Sequence, residues 1–293
     1  MLNSFVKQSS QVVLITGCSS GFGLLTAIEL AKKYHVIATM RNLDSRKEFD
    51  RLCGIHQVSM DLLELDVNDI NTISNVVDVI ESKYGYLDVL INNAGYLQLG
   101  FCCDIAIDEL ESQFQTNFFG CHRMIRSMIH LLSKSKQAKI INLSSVAGLS
   151  SIPFMGAYNG SKFALEGYSE SLYYELKPKG IQVCLVEPGL YQTKILENLK
   201  IANNTGQNQS LFKESGDFIL SILPSFKNRS SKDPLIVVRL LCSIVEKPRL
   251  RFRYLIGFTA QLRAVFRWSV PFSVYSYFVQ LGFNLLLKKR FSK

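Results

Sequence analysis

The sequence predicts a doubly wound parallel α/β sheet, a single domain prolonged at its C-terminus by a helical extension. Three observations predict it. Short apolar runs alternate with amphipathic stretches at helical spacing, the pattern of strand–helix–strand units. A glycine-bearing turn directly follows the first apolar run. The 293 residues, 47% hydrophobic and 19% charged, can bury one large core, and neither an internal repeat nor a long linker divides them.

Residues 11–15 (QVVLI) read as the first buried strand, 22–33 as the helix after it and 35–39 as the second strand. Further strands are expected at 60–65, 87–92, 139–143 and 181–186, with a last one at 251–257. Helices are expected at 68–84, 107–133 and 157–177. The Gly/Asn/Ser-rich stretch 202–216 reads as a loop, inside a segment, 194–232, long enough to form a helical lid. The domain therefore spans 1–257, and 258–293 form an apolar, basic extension.

Composition excludes disordered, collagen-like and disulfide-scaffold classes. Seven cysteines without a C-x-x-C pair point to a reducing, cytoplasmic compartment, and no signal peptide is expected at the N-terminus. Core packing is the expected role of Cys18, Cys53, Cys121, Cys184 and Cys242, and of the adjacent Cys102 and Cys103. His35, His56, His122 and His130 show no ligand spacing, so no metal site is expected; His122 and His130 read as helix surface. The formal charge of +9 is concentrated: residues 247–293 hold ten Lys/Arg and no acid, leaving 23 basic against 24 acidic side chains elsewhere. No nucleic-acid motif accompanies that charge.

The turn after the first strand is T-G-C-S-S-G-F-G, Thr16 to Gly23. Gly17 permits a tight turn, Gly21 lets backbone approach a pyrophosphate, and Gly23 allows close helix–strand packing. Ser19, Ser20 and Phe22 complete a loop that leads into a helix N-terminus, whose free N–H groups attract phosphate. Tyr158 and Lys162, in Y-N-G-S-K at the start of an expected helix, share one helical face. A cation beside a phenol lowers its pKa from about 10 and fits it for acid–base work near neutrality.

The loop spacing G-x-x-x-G-x-G resembles that of the short-chain dehydrogenase/reductase family, in its single-domain branch, and the resemblance runs from about Gln11 to about Gly257. Asp66-Val67 resembles the family's adenine-contacting segment, Asn92-Asn93-Ala94-Gly95 its N-N-A-G turn, and Pro188-Gly189 with Thr193 its segment beside the nicotinamide. Ser145, thirteen residues before Tyr158, and Asn117, in Q-T-N-F-F-G, match the family's other two catalytic positions. The competing serine is Ser144, and spacing favours Ser145. The resemblance implies a Rossmann-like fold and hydride transfer between a nicotinamide and a carbonyl or alcohol carbon. Ser145 would hold the substrate oxygen, Tyr158 exchange the proton, Lys162 bind the ribose and tune Tyr158, and Asn117 hold a water relay behind Lys162. A dimer or tetramer through the helices at 107–133 and 157–177 is implied as well.

An NAD site carries an acid at the end of the second strand. Here that strand ends in Met40-Arg41, and Arg41 can pair with a 2′-phosphate, so NADP(H) is the expected cofactor. NAD is the alternative, with Asp44 supplying the acid. The substrate side, from Tyr96–Cys103, Leu149–Met155 and the stretch after Gly189, is apolar and lacks clustered Arg or Lys. A hydrophobic alcohol or ketone is expected, and the chain also resembles the family's steroid- and retinoid-active subset. A cofactor-binding regulator without chemistry is the rival reading. In the extension, Trp268–Leu287 is uncharged, but Pro271, Ser273, Ser276, Gln280 and Asn284 make it a poor membrane span. It is expected to pack over the pocket or a neighbouring subunit, or to dock peripherally on a membrane, with spanning the least favoured alternative.

Overall fold

The computed structural model describes residues 11–191, 193–196, 199–227 and 233–288. Nine strands and ten α-helices follow one another among the described residues. The first half holds β1 (Val12–Ile15), α1 (Gly21–Ala31), β2 (His35–Met40), α2 (Lys47–His56), β3 (Asp61–Glu64), α3 (Ile70–Lys83), β4 (Val89–Asn92), β5 (Gln98–Leu99), α4 (Ile107–Phe114) and α5 (Gly120–Leu132). The second holds β6 (Lys139–Leu143), α6 (Gly156–Leu176), β7 (Gln182–Pro188), β8 (Lys200–Ile201), α7 (Lys213–Lys227), α8 (Leu235–Glu246), β9 (Arg253–Ile256), α9 (Phe258–Ser269) and α10 (Phe272–Lys288).

Seven strands form one sheet in the order β3-β2-β1-β4-β6-β7-β9, every neighbouring pair parallel. Side chains alternate along a strand, so each central strand feeds two apolar layers. Val13, Ile15, Ala38, Ile91, Ile141 and Val186 pack in the layer containing α1 and α8. Val12, Leu14, Ile37, Leu90, Ile140 and Val183 pack in the layer containing α3, α5 and α6. Burial on both faces is why these strands read as continuous apolar runs rather than alternating ones.

Four features depart from the sequence reading. The expected helix over 107–133 is interrupted by a π-helical turn, Gln115–Phe119, which carries Asn117 inward. Helix α2 went unread because Phe49 is its one buried residue, with only Leu52 and Cys53 partly buried beside it among charged side chains. Strands β5 and β8 pair in parallel over two residues each, too short for any periodicity. Cys102 and Cys103 are exposed, so core packing is not their role, whereas Cys18, Cys121 and Cys184 are buried.

The extension folds back on the domain. Ala260 and Ala264 of α9 are buried, and α9 packs on β9 and on the turn Val146–Gly148. Phe266 meets Tyr275 and Phe278 of α10, and Phe283 stands edge-on to Phe101 at 6.3 Å. Among the described residues no helix is long and apolar enough to cross a membrane.

Candidate active site

Because the large sheet is wholly parallel, the C-terminal ends of its strands share one edge, and the turns leaving them line a cleft of about 1360 Å³. The strand order divides that cleft. Turns after β1, β2 and β3 supply Gly17, Ser19, Ser20, Gly21, Phe22, Arg41, Asp66 and Val67 at one end. Turns after β4, β6 and β7 supply Asn93, Ala94, Gly95, Ser145, Pro188, Gly189 and Thr193, and α6 places Tyr158 and Lys162 at the centre. Gly23 alone among the expected residues stands behind the wall. A Cβ there would lie 2.4 Å from both the Asn93 amide nitrogen and the Gly17 carbonyl.

The glycine turn is held by its neighbours. Thr16 Oγ1 accepts from the backbone N–H groups of Asn93 and Ala94, each at 3.0 Å. The Asn93 side chain donates to the carbonyls of Thr16 (2.8 Å) and Gly17 (3.0 Å). Gly17 takes φ +73°, and a Cβ on it would press within 2.9 Å of Ala94 Cα. At the start of α1 the Ser20 side chain makes no capping bond and no acid sits in the first turn, so the helix N-terminus faces the cleft with its N–H groups free. This is a cradle that fits a dinucleotide pyrophosphate. Arg41, exposed at the end of β2, makes no side-chain bond among the described residues and lines the cleft, as Asp66 does. Asp66 also accepts from Asn68 N at 2.9 Å, while the cap of α3 is a different residue, Asp69. Asp44 does not line the cleft, and Met40 is buried.

At the centre, the Ser145 hydroxyl faces the Tyr158 phenol and stabilises its ionised form, and its Oγ donates to Pro188 O at 3.4 Å. Ser145 Oγ also accepts from Ala147 N at 3.1 Å. Ser144, by contrast, is buried and finds no partner among the described residues. Lys162 Nζ lies 5.8 Å from the Tyr158 ring centroid and donates to Leu143 O at 2.7 Å. Burial lowers Lys162 to about 8 and raises Tyr158 to about 12, the Ser145 hydroxyl offsetting part of the latter. This differs from the expectation that Lys162 lowers the phenol: burial is the largest cause at both groups and moves each toward its neutral form.

Asn117 clamps the backbone of Tyr96, accepting from its N–H at 3.1 Å and donating to its carbonyl at 3.0 Å, and donates to Ser161 Oγ at 3.2 Å. Beside it, a cavity of about 10 Å³, the size of one water, is lined by Asn92, Asn117 and Lys162, and Asn92 Oδ1 has no other partner among the described residues. Behind α6 and β7, Arg253 bonds both Glu166 and Glu187. Burial and the nearby Glu166 carboxylate push Glu187 up to about 8, although Arg253 pulls the other way.

Two cations on the far wall escaped the sequence reading. Arg263 arrives on α9, its Nη2 donating to the carbonyl of Ser150, 113 residues away in sequence, and Lys200 sits over the Tyr96 ring at 4.7 Å. No local signal marks either one.

A family model described as short chain dehydrogenase matches residues 11–204. The chain is 35% identical to the uncharacterized oxidoreductase YusZ of Bacillus subtilis, over 97% of this chain and all of the relative (100%). It is 37% identical to a 3-ketodihydrosphingosine reductase of Bacteroides thetaiotaomicron (84% and 88% covered) and 31% to retinol dehydrogenase 8 of Bos taurus (85% and 82%). Among solved structures it is similar to a short-chain dehydrogenase of Streptomyces avermitilis, with TM-score 0.76, 27% identity and 94% and 97% covered. It is also similar to a Burkholderia phymatum short-chain dehydrogenase/reductase in complex with NAD (0.73, 25%, 87% and 93%) and to ElxO with NADP bound (0.68, 26%, 84% and 96%).

Proposed function

The chain belongs to the short chain dehydrogenase family, an oxidoreductase family whose members use NAD or NADP, and from that premise we propose that it reduces a hydrophobic, lipid-like ketone, or oxidises the matching alcohol, with NADP(H). The observation that carries this reading is the central group: a phenol facing a serine hydroxyl, with a buried lysine beside it, midway along a cleft whose other end would cradle phosphate.

When bound, the nicotinamide nucleotide supplies the hydride for reduction and takes it up in oxidation. The chain does the rest. Gly17–Phe22 and the N-terminal end of α1 would hold the pyrophosphate, Asp66 and Val67 would meet the adenine, and Arg41 would pair with the 2′-phosphate. Asn93–Gly95, Pro188, Gly189 and Thr193 line the path to the centre. Ser145 donates a hydrogen bond to the substrate oxygen, and Tyr158 gives that oxygen its proton. With its pKa raised to about 12, the phenol is protonated at neutral pH, the form that reduction requires. Lys162 holds the ribose hydroxyls, and Asn117, next to the one-water cavity, keeps a route by which the phenol is reprotonated.

The substrate class is supported by the apolar wall of Leu97, Ile152, Met155, Leu190, Leu196 and Leu199, and by relatives named for 3-ketodihydrosphingosine and retinol. A non-catalytic regulator would have no use for the Ser145–Tyr158–Lys162 arrangement. Turnover of a panel of lipophilic ketones with NADPH and NADH tests the reading. Oxidation of NADPH by several of them is expected, and none turned over with either cofactor would overturn it.

Phe119 and Phe163, exposed on the π turn and on α6, support a dimer through those elements. Phe258, Leu262, Trp268, Phe272 and Leu285 are exposed on α9 and α10, beside Arg267 and without an acid nearby in sequence. This supports peripheral docking on an anionic bilayer with the cleft at the lipid surface. Co-sedimentation with phosphatidylglycerol vesicles is expected to fall on Trp268→Ser with Phe272→Ser. Equal sedimentation of both forms would refute docking.

A further inference from the structure

We propose that the far end of the cleft is an anion subsite built on Arg263, which selects amphiphilic substrates bearing an acidic group. The inference deepens the reading of a lipid-like substrate and rests on it for the reaction, though not for the binding.

The argument begins with charge. Asp66 is the one acid on the described cleft wall, and it lies at the nucleotide end. Arg263 and Lys200 line the opposite end, and neither makes an ion pair among the described residues. Arg263 is not a solvated surface cation. It projects from the inward face of α9 between Ala260 and Ala264, both buried, whose small side chains let the helix approach the Val146–Gly148 turn. A Cβ built on Gly189 would stand 3.3 Å from the Ala260 methyl, so α9 also presses on the turn after β7. The guanidinium is therefore held where the turns after β6, β7 and β9 converge. Its Nη2 donates to Ser150 O, and its Nε is enclosed without an acceptor among the described residues.

A partly enclosed guanidinium with a single carbonyl for company is under-satisfied: it carries five donors and a full charge, and desolvation of that charge is offset only by an anion. The same cleft is lined by Ile152, Leu190, Ile195 and Leu196, apolar side chains against which the chain of an amphiphile can lie. Lys200, held over the Tyr96 ring, adds a second positive charge on the same side. The pyrophosphate cradle and Arg41 leave β1 and β2, toward the other edge of the sheet from β9, so neither the pyrophosphate nor the 2′-phosphate accounts for Arg263, and the nicotinamide that Gly189 and Thr193 would face carries no anionic group. The chemistry that fits is a carboxylate or phosphate joined to an apolar chain that reaches back to Tyr158.

The test is calorimetric binding of decanoate and of 1-decanol, equal in chain length, to the NADPH-loaded full chain. Decanoate is expected to bind about tenfold or more tightly than decanol, the gain from a charge-assisted hydrogen bond. In Arg263→Met the ratio is expected to collapse toward one, and Arg263→Lys to keep part of it. Equal affinities in the unaltered protein, or no decanoate binding at millimolar concentration, would overturn the subsite. So would an Arg263→Met protein that loses affinity for both ligands alike, since Arg263 would then be a staple for the Ser150 turn, or one that loses NADPH, since it would then hold the cofactor. Failure to turn over any ketone would remove the proposed reaction and leave the binding ratio standing.

Discussion

The two ends of the cleft are built by different rules. At the nucleotide end most of the wall comes from turns that directly leave a strand, Gly17–Phe22 after β1, Arg41 after β2 and Asp66 after β3, with Gln115 and Thr116 of the π-helical turn beside them. Backbone geometry does much of the work there, so glycines and short polar residues at fixed offsets are required. At the substrate end the wall is assembled from Tyr96 and Leu97 before β5, Lys200 of β8, the Ser145–Met155 stretch, the segment after β7 and α9, which come from distant parts of the chain. Side chains rather than backbone set its character. One end binds a constant ligand with a constant structure, and the other is free to vary.

The largest effect that can separate the two ends is at their junction. Tyr158→Phe keeps the ring and removes the proton, so ketone reduction is expected to fall by roughly 10²–10⁴-fold while NADPH titrates as before. Steady-state kinetics beside fluorescence titration of NADPH checks it, and a parallel loss of cofactor affinity would mean that the junction belongs to the nucleotide end.

A smaller effect sharpens the nucleotide end alone. Arg41→Ala is expected to lower kcat/KM for NADPH by roughly 10–100-fold, the worth of a charged hydrogen bond of about 1.5–3 kcal/mol, and to leave NADH untouched. Equal kinetics with both cofactors before and after the change would show that this end does not read the 2′-phosphate.

The smallest effect lies behind both ends, in the pair of carboxylates that share Arg253. Glu187 is raised to about 8 in the folded chain against an ordinary value of 4.5. Between those values the folded state keeps a proton that the unfolded state has released. Its contribution to stability is therefore full below about pH 4.5 and declines as pH rises toward 8. Glu187→Gln is expected to flatten that decline by a fraction of the one-proton limit of about 1.4 kcal/mol per pH unit. Melting temperatures of both proteins at pH 5 and pH 8 measure it.

The legibility of the sequence follows the same division. Fully buried strands such as Val12–Ile15 and Lys139–Leu143 announce themselves as apolar runs, and the glycine turn announces its phosphate site by spacing. Helix α2 does not, because its apolar stripe is a single turn long, Phe49 with Leu52 and Cys53. Residues 107–133 read as one helix because a π turn inserts a single residue without disturbing composition, yet that turn brings Asn117 to Tyr96. The direction of the Tyr158 shift was misread for a related reason: adjacency on a helix face is written in the sequence, whereas enclosure of both groups is a property of everything packed around them. Arg263 was invisible because its partner is Ser150, and nothing in either neighbourhood mentions the other.

That last contact has a consequence for the order in which the enzyme comes into being. The glycine turn and the Asn93–Gly95 turn that braces it lie within the first 95 residues, whereas the Ser145–Ser150 turn is braced by α9, which begins only at Phe258. The first turns of the nucleotide end are thus made early in synthesis, Lys162, Thr193 and the α8 helix that packs on α1 come later, and the brace beside Tyr158 comes last. A chain that ends before residue 258 lacks that brace, so substrate turnover is expected only once synthesis has passed the last strand.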